Sequence, residues 1–337
     1  MDQLKILETL TDCDGVSGDE KNICETVSAI LKSEIPHIKT EIRDNNLIAF
    51  LTKKDPNKKT LLLDAHIDRI GFIVTHITEN GFLKVGNIGK TDTKILPAAR
   101  VYVGEKRLPG VICTKPPHLS DKESKPLSVS DILIDVGLDK KATEEKISVG
   151  DRVLLHEKFT RLQGDRIAAS ALDNRAGAAA IIMAMRKIIA ENSSKYNVVL
   201  LFSSCEEVNE RGAIISTFSI NPDIAIVVDV TFAYSHGEDK DTVGEMGKGV
   251  MIGVSATLDK EFSNALIDIA KAENIPFQVE VMPQKTGTNA DMISTNRGGV
   301  KTATLSIPLK FMHTQSEVVS LSDIASTADL ISAFARS

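Results

Sequence analysis

The chain contains no tryptophan, and aromatic residues make up only 4% of its 337 residues. Stacking platforms for bases or sugar rings are therefore scarce. A basic surplus is missing too: 40 Lys and Arg stand against 46 Asp and Glu, a net charge of −6. That balance gives no bulk attraction to nucleic acid or to an anionic membrane, and neither is expected as a partner. Cys13, Cys24, Cys113 and Cys205 lie far apart and form no CxxC pair. They read as small apolar core groups in a reducing compartment rather than as a disulfide scaffold. No apolar run approaches the roughly 18 residues of a membrane span. The start, Met1-Asp2-Gln3-Leu4-Lys5, lacks the basic-then-apolar layout of a secretory signal. A soluble cytoplasmic protein is the expectation. Also absent are a Gly-x-Ser-x-Gly elbow and a Gly-rich phosphate loop with its lysine.

What remains is an ordinary globular composition, 42% hydrophobic and 26% charged, in a chain long enough for two domains or one large domain with an insertion. Ser17-Gly18-Asp19-Glu20 fits a capping box, and the apolar spacing after it predicts a helix over 18–34. Asn45-Asn46 predicts a hairpin turn between strands at 39–43 and 47–52. Residues 60–65 form a short apolar run suited to a buried strand. From about 70 to 160 the texture changes to short β-prone pieces at 72–77, 82–85, 100–103, 110–113, 132–136 and 152–156, separated by Gly, Pro and Asn. This predicts a small all-β domain with an exposed loop at 115–125. Beyond 165, strands at 197–202, 224–228, 250–254, 277–281 and 300–306 accompany helices at 174–191, 259–272 and 323–335. The fold class read from this is α/β, a mixed sheet flanked by helices and interrupted by an inserted β domain. The division is 1–70 with 164–337, and 71–163 for the insertion.

Ionisable residues gather where these apolar strands stop: His66 and Asp68, Asp173, Glu206 and Glu207, Asp229, and then His313 after a short loop. Ligands of open α/β sheets bind beyond the carboxyl ends of the strands, so clusters distant in sequence can converge. Imidazole and carboxylate without thiolate suit Zn, Co or Mn. Five such ligands suffice for two metals if one carboxylate bridges, and a neighbouring free carboxylate could handle the proton of an activated water. Asp68, two residues beyond His66 along extended chain, points to the same side and suits a carboxylate–histidine–metal relay. Taken singly, Asp173 and Asp229 could equally be helix caps. His37, His76, His118, His156 and His236 have no comparable company and read as structural or solvated.

Five segments together carry a resemblance: His66-Ile67-Asp68-Arg69-Ile70-Gly71-Phe72, Ala171-Leu172-Asp173-Asn174-Arg175, Glu206-Glu207-Val208 with Arg211-Gly212-Ala213, Val228-Asp229-Val230 and His313-Thr314. With Lys115-Pro116-Pro117-His118-Leu119, the set resembles the cytosolic dinuclear-zinc aminopeptidases that form tetrahedral (TET) particles, a group including glutamyl aminopeptidase and cellulase M types. The resemblance implies a zinc-exopeptidase type of sheet. It implies two divalent ions per subunit, zinc foremost with cobalt or manganese as alternatives. Their ligands would be His66, Asp173 as the bridge, Glu207, Asp229 and His313. Glu206 would be general base and then acid, and Asp68 would orient His66. It further implies short peptide substrates, a PDZ-like or barrel-like inserted domain mediating subunit contacts, a dimer building block and a dodecamer. Related zinc deacylases and carboxypeptidases place the bridging Asp much closer to His-x-Asp; here the β segment fills the interval. Two rivals differ in class. A glycoside hydrolase would need carboxyls roughly 5–10 Å apart across a bond, which adjacent Glu206 and Glu207 do not suggest. A non-catalytic assembly protein would have been free to lose the ligand set. The chain departs from the family at Asn289, where Asp is common, at Asn209, where Gly is usual, and at Lys310-Phe311, where Arg-Tyr is common. If position 289 lines the substrate side-chain pocket, Asn there weakens a pocket for basic side chains.

Overall fold

The computed structural model describes residues 2–114, 128–237, 239 and 242–337. The expected loop at 115–125, with the Lys115–Leu119 motif and His118, lies outside the described residues. Strand Thr60–His66 is buried from Leu61 to His66, and apolar at Leu61, Leu62, Leu63 and Ala65, because both faces are covered. Leu61, Leu63 and Ala65 enter one core layer and Leu62 the other, the alternation a strand imposes. Strand Asn197–Ser203 repeats this, with Val198, Leu200 and Phe202 on the first face and Val199 and Leu201 on the second.

These two strands belong to an 11-stranded mixed sheet. Its order is Lys39–Arg43, Asn46–Phe50, Asn197–Ser203, Thr60–His66, Ile224–Phe232, Lys301–Lys310, Glu317–Ser320, Arg166–Ala169 and Thr160–Arg161. Val250–Ser255 branches from Lys301–Lys310 and pairs with Phe277–Met282. The four strands Asn197–Ser203, Thr60–His66, Ile224–Phe232 and Lys301–Lys310 run parallel, so their carboxyl ends open on one side. Helices Gln3–Asp12, Lys21–Glu34, Leu172–Glu191, Lys260–Ala272 and Leu321–Arg336 cover the first face. Helices Arg211–Ile220 and Ala290–Ser294 cover the second through Ala213, Ala290 and Ile293.

Between Gly71 and Leu155 the chain leaves the sheet and closes a six-stranded antiparallel barrel. Its strands are Gly71–Ile77, Leu83–Ile88, Arg100–Val103, Leu108–Ile112, Leu133–Asp135 and Arg152–Leu155. The closure is the Phe72–Val153 pairing, and Phe72, Val74, Leu83, Val101, Ile134 and Val153 fill a core of its own. The expected mixed sheet with flanking helices and a small β insertion is the observed architecture.

Two local expectations need correction, and one helix was not anticipated. The hairpin turns on Asp44 and Asn45, at φ +50° and +60°, and Asn46 already pairs with Arg43 as the first strand residue. Both turn residues tolerate the left-handed region that a two-residue hairpin needs. The helix expected from 18 begins at Lys21, and its N-cap residue makes no side-chain cap. The Ser17 hydroxyl instead donates to Asp68 Oδ2 at 2.6 Å. Helix Arg211–Ile220 gives no periodic signal because its outer face is also apolar: Ile214, Ile215 and Phe218 are 38%, 38% and 56% exposed.

Candidate metal centre

Each proposed ligand is delivered by a different element. His66 ends strand Thr60–His66 and sits opposite Ser203 in the neighbouring strand. Glu206 and Glu207 begin the short helix Glu206–Asn209, which Cys205 reaches by turning into the left-handed region at φ +58°. Asp229 lies within strand Ile224–Phe232, paired with Ser306, rather than beyond its end as the apolar run suggested. Strand Lys301–Lys310 likewise runs farther than expected, so only Phe311 and Met312 separate it from His313, which stands at φ +61°. Asp173 precedes the regular part of helix Leu172–Glu191; Asp173 and Asn174 have non-helical dihedrals, and the peptide bond between them is cis. The cap is Asn174, not Asp173. Asn174 Oδ1 accepts from the Gly177 N–H at 3.0 Å, and its Nδ2 donates to Val228 O at 2.8 Å.

The six side chains converge. His66 Nε2 lies 3.1 Å from Asp173 Oδ1, 3.6 Å from Asp229 Oδ1 and 3.9 Å from Glu206 Oε2. His313 Nε2 lies 3.2 Å from Asp173 Oδ2 and 3.3 Å from Glu207 Oε2. Two groups of three ligating side chains result, His66–Asp173–Asp229 and Asp173–Glu207–His313, each with its ligating atoms within 4.8 Å of one another. Asp173 is common to both, one oxygen toward each imidazole. Glu206 belongs to neither. None of the described histidines at 37, 76, 156 and 236, and none of the four cysteines, joins such a group.

The electrostatics of this donor set fit divalent cations. Asp173, Glu206, Glu207 and Asp229 crowd together with no lysine or arginine paired to them among the described residues. Burial pushes Glu206 up to about 9, and Asp229, Glu207 and Asp173 add their repulsion to that rise. Burial and Asp173 likewise raise Glu207 and Asp229. Burial opposes protonation of His313, yet Asp173 and Glu207 lift it to about 11. For Asp173 burial acts upward, and the two imidazoles outweigh it and hold the carboxyl well below its usual range. The cluster thus draws positive charge onto its imidazoles, at the atoms where a cation would displace the proton.

Asp68 faces His66 Nδ1 at 3.4 Å. Its Oδ1 also accepts from the Glu206 N–H at 3.0 Å, and its Oδ2 from the Glu207 N–H at 3.2 Å. It therefore ties the strand bearing His66 to the turn bearing both glutamates. Glu317 was missed by sequence reasoning. It is 2% exposed, and its two oxygens accept from the Asp173 N–H at 3.0 Å and the His313 N–H at 2.9 Å. Burial raises it to about 8. Its signal was an acid opening the otherwise apolar-rich strand Glu317–Ser320, four residues after a histidine.

The site opens into a cleft of about 590 Å³ lined also by Lys90, Val230, Phe232, Glu280, Met282 and Met312. Asn289 does not line it. That side chain is 1% exposed, and its Nδ2 donates to Asp64 Oδ2 and Ser203 Oγ, both at 2.9 Å. The expectation that Asn289 tunes a substrate pocket is therefore overturned, because the side chain packs among the sheet residues behind the cleft. A larger hollow of about 690 Å³ opens on the barrel beside Tyr102 and His156, away from both ligand groups.

A mixed sheet whose parallel strand ends gather imidazoles and carboxylates around one cleft is a layout suited to hydrolysis. The chain belongs to the M42 glutamyl aminopeptidase family, whose model matches residues 45–330. It is 32% identical to the lysyl aminopeptidase of Pyrococcus furiosus over 98% of this chain and 95% of that one. Among solved structures, an aminopeptidase from the archaeon Desulfurococcus kamchatkensis matches with a TM-score of 0.90 at 30% identity, covering 99% of this chain and 94% of that one. The Pyrococcus horikoshii TET1 peptidase matches with a TM-score of 0.85 at 28% identity over 99% of both chains; that protein assembles into a tetrahedron or a large octahedral shell. Among the described residues no helix is long and apolar enough to cross a membrane.

Proposed function

We propose that the chain is a dinuclear metal-dependent aminopeptidase that removes N-terminal residues from short peptides in the cytoplasm. The observation that carries this reading is the pair of three-donor groups joined through Asp173. His66, Asp173 and Asp229 would hold one divalent ion, and Asp173, Glu207 and His313 the other, with zinc the first choice and cobalt or manganese as alternatives. Bound there, the ions supply Lewis acidity toward the scissile carbonyl and toward an attacking water. Glu206, beside both groups and part of neither, takes the water proton on its carboxylate and passes it to the departing amine nitrogen. Asp68 orients His66 through Nδ1 and fixes the Glu206 and Glu207 backbones.

Residues 1–70 with 164–337 make up the catalytic domain in this reading, and residues 71–163 the domain that carries subunit contacts. The subunit would form a dimer building block and, like the relatives with tetrahedral shells, a larger homo-oligomer; light scattering against the 36.5 kDa subunit mass measures it. The decisive experiment is an aminoacyl reporter panel with chelator and with metal add-back. Activity that vanishes with chelator and returns with zinc or cobalt is expected. Glu206→Gln should retain its metal content and lose roughly 10²- to 10⁴-fold in kcat. Undiminished turnover in that variant removes Glu206 from the mechanism.

A further inference from the structure

Strand Phe277–Met282 is built inside out. Val279 and Val281 are 47% and 73% exposed, while Glu280 between them turns into the cleft. The Glu280 carboxylate is fixed there by two hydroxyls: Thr231 Oγ1 donates to Oε1, and Ser306 Oγ donates to Oε2 at 2.7 Å. No cation of the described residues pairs with it, and the charged group acting on it most strongly is another acid, Asp229. Its two anchors also fix its place. Ser306 is the register partner of Asp229, and Thr231 is two residues beyond Asp229 on the same face of the strand. Glu280 therefore presents a preorganised negative charge about one side-chain step, roughly 7 Å, from Asp229.

We propose that Glu280 receives the α-ammonium group of the substrate and so restricts the cleft to free peptide N-termini. The inference rests on the aminopeptidase reading above. A substrate held with its first carbonyl at the two ligand groups has its α-nitrogen only two bonds from the carbonyl carbon. The amino group thus falls beside the ligand groups, where Glu280 stands, whereas a lysine side-chain nitrogen lies six bonds away and reaches past it. Glu210, the remaining cleft acid outside the ligand and proton-transfer set, begins helix Arg211–Ile220 as its N-cap residue and has, among the described residues, no hydroxyl anchors comparable to those of Glu280.

Glu280→Gln, metal-loaded and with metal content per subunit checked, tests this against leucyl and lysyl reporters together. Losing a charge-assisted contact should lower kcat/KM by roughly 10- to 100-fold, mostly through KM and alike for both reporters. Calorimetry supplies a readout free of turnover: leucinol, which has no amide to cleave, should bind the wild-type protein more tightly than 4-methylpentan-1-ol, which lacks the amino group, and the preference should vanish in the variant. A loss confined to the lysyl reporter, or an unchanged leucinol preference, overturns the proposal. If the wild-type protein cleaves no reporter, the aminopeptidase reading fails on its own, and the calorimetric comparison still decides whether Glu280 holds an ammonium group.

Discussion

Replacing Asn289 by Asp tests how the interior behind the cleft is held. Asn289 Nδ2 donates to Asp64 Oδ2 and to Ser203 Oγ, each at 2.9 Å, and all three residues are at most 1% exposed. The substitution removes both donors and sets a second carboxyl against one that burial already raises to about 7. Loss of a buried hydrogen bond to a charged acceptor costs about 1.5–3 kcal/mol, and the hydroxyl contact adds about 1 kcal/mol. A total near 3 kcal/mol lowers the melting temperature of a chain this size by roughly 4 °C. Adding Asp64→Ala returns the site to one carboxyl, with Ser203 free to donate to it. The two substitutions should therefore couple favourably by at least about 1.5 kcal/mol. Thermal melts of the wild type, both single variants and the double variant at fixed protein concentration give this cycle. The ratio of lysyl to leucyl cleavage should not move. A single Asn289→Asp variant that melts with the wild type and gains lysyl activity refutes the placement of this side chain.

Three further outcomes are expected. Glu317→Ala leaves the Asp173 and His313 N–H groups buried without an acceptor, so it should weaken metal binding measured by chelator competition and cost about 2–5 kcal/mol of stability, with Glu317→Gln recovering part of both. Gly177→Ala would bring a methyl group to 2.2 Å from Asn174 Oδ1, which displaces the cap beside Asp173 and should lower metal affinity as well as melting temperature. Zinc should raise the melting temperature of chelator-treated protein, by an amount corresponding to about 2.7 kcal/mol at a hundredfold excess over its dissociation constant.

The central strands were legible because they are apolar on both faces, and the ligand candidates because charge interrupts those runs, at the strand end for His66 and inside the strand for Asp229. His66, Asp173, Glu206, Glu207, Asp229 and His313 are brought together in one place. The barrel was legible as six β-prone pieces, although their closure through Phe72 and Val153 was not, since pairing between distant strands leaves no local trace. Ser17 misled because a serine three residues before an acid fits a helix cap equally well, and tertiary contact with Asp68 took its hydroxyl. Glu317 and Glu280 were illegible for a related reason. An acid in a short strand ordinarily marks the solvent face, and only the packing of neighbouring loops and strands turned these two inward.

The barrel leaves and rejoins the sheet at almost one point. Gly71–Ile77 and Arg152–Leu155 are direct neighbours, and Arg69 Nη2 donates across the junction to Leu155 O at 2.6 Å. A long excursion is thereby reduced to a short clasp between the stretch that carries His66 and the stretch that carries Asp173. Damage far out on the insertion matters little to the ion cage while that clasp stays shut. Prising apart Phe72 and Val153 lengthens the tether between two halves of one ion cage, so a lesion distant from the chemistry can still silence it.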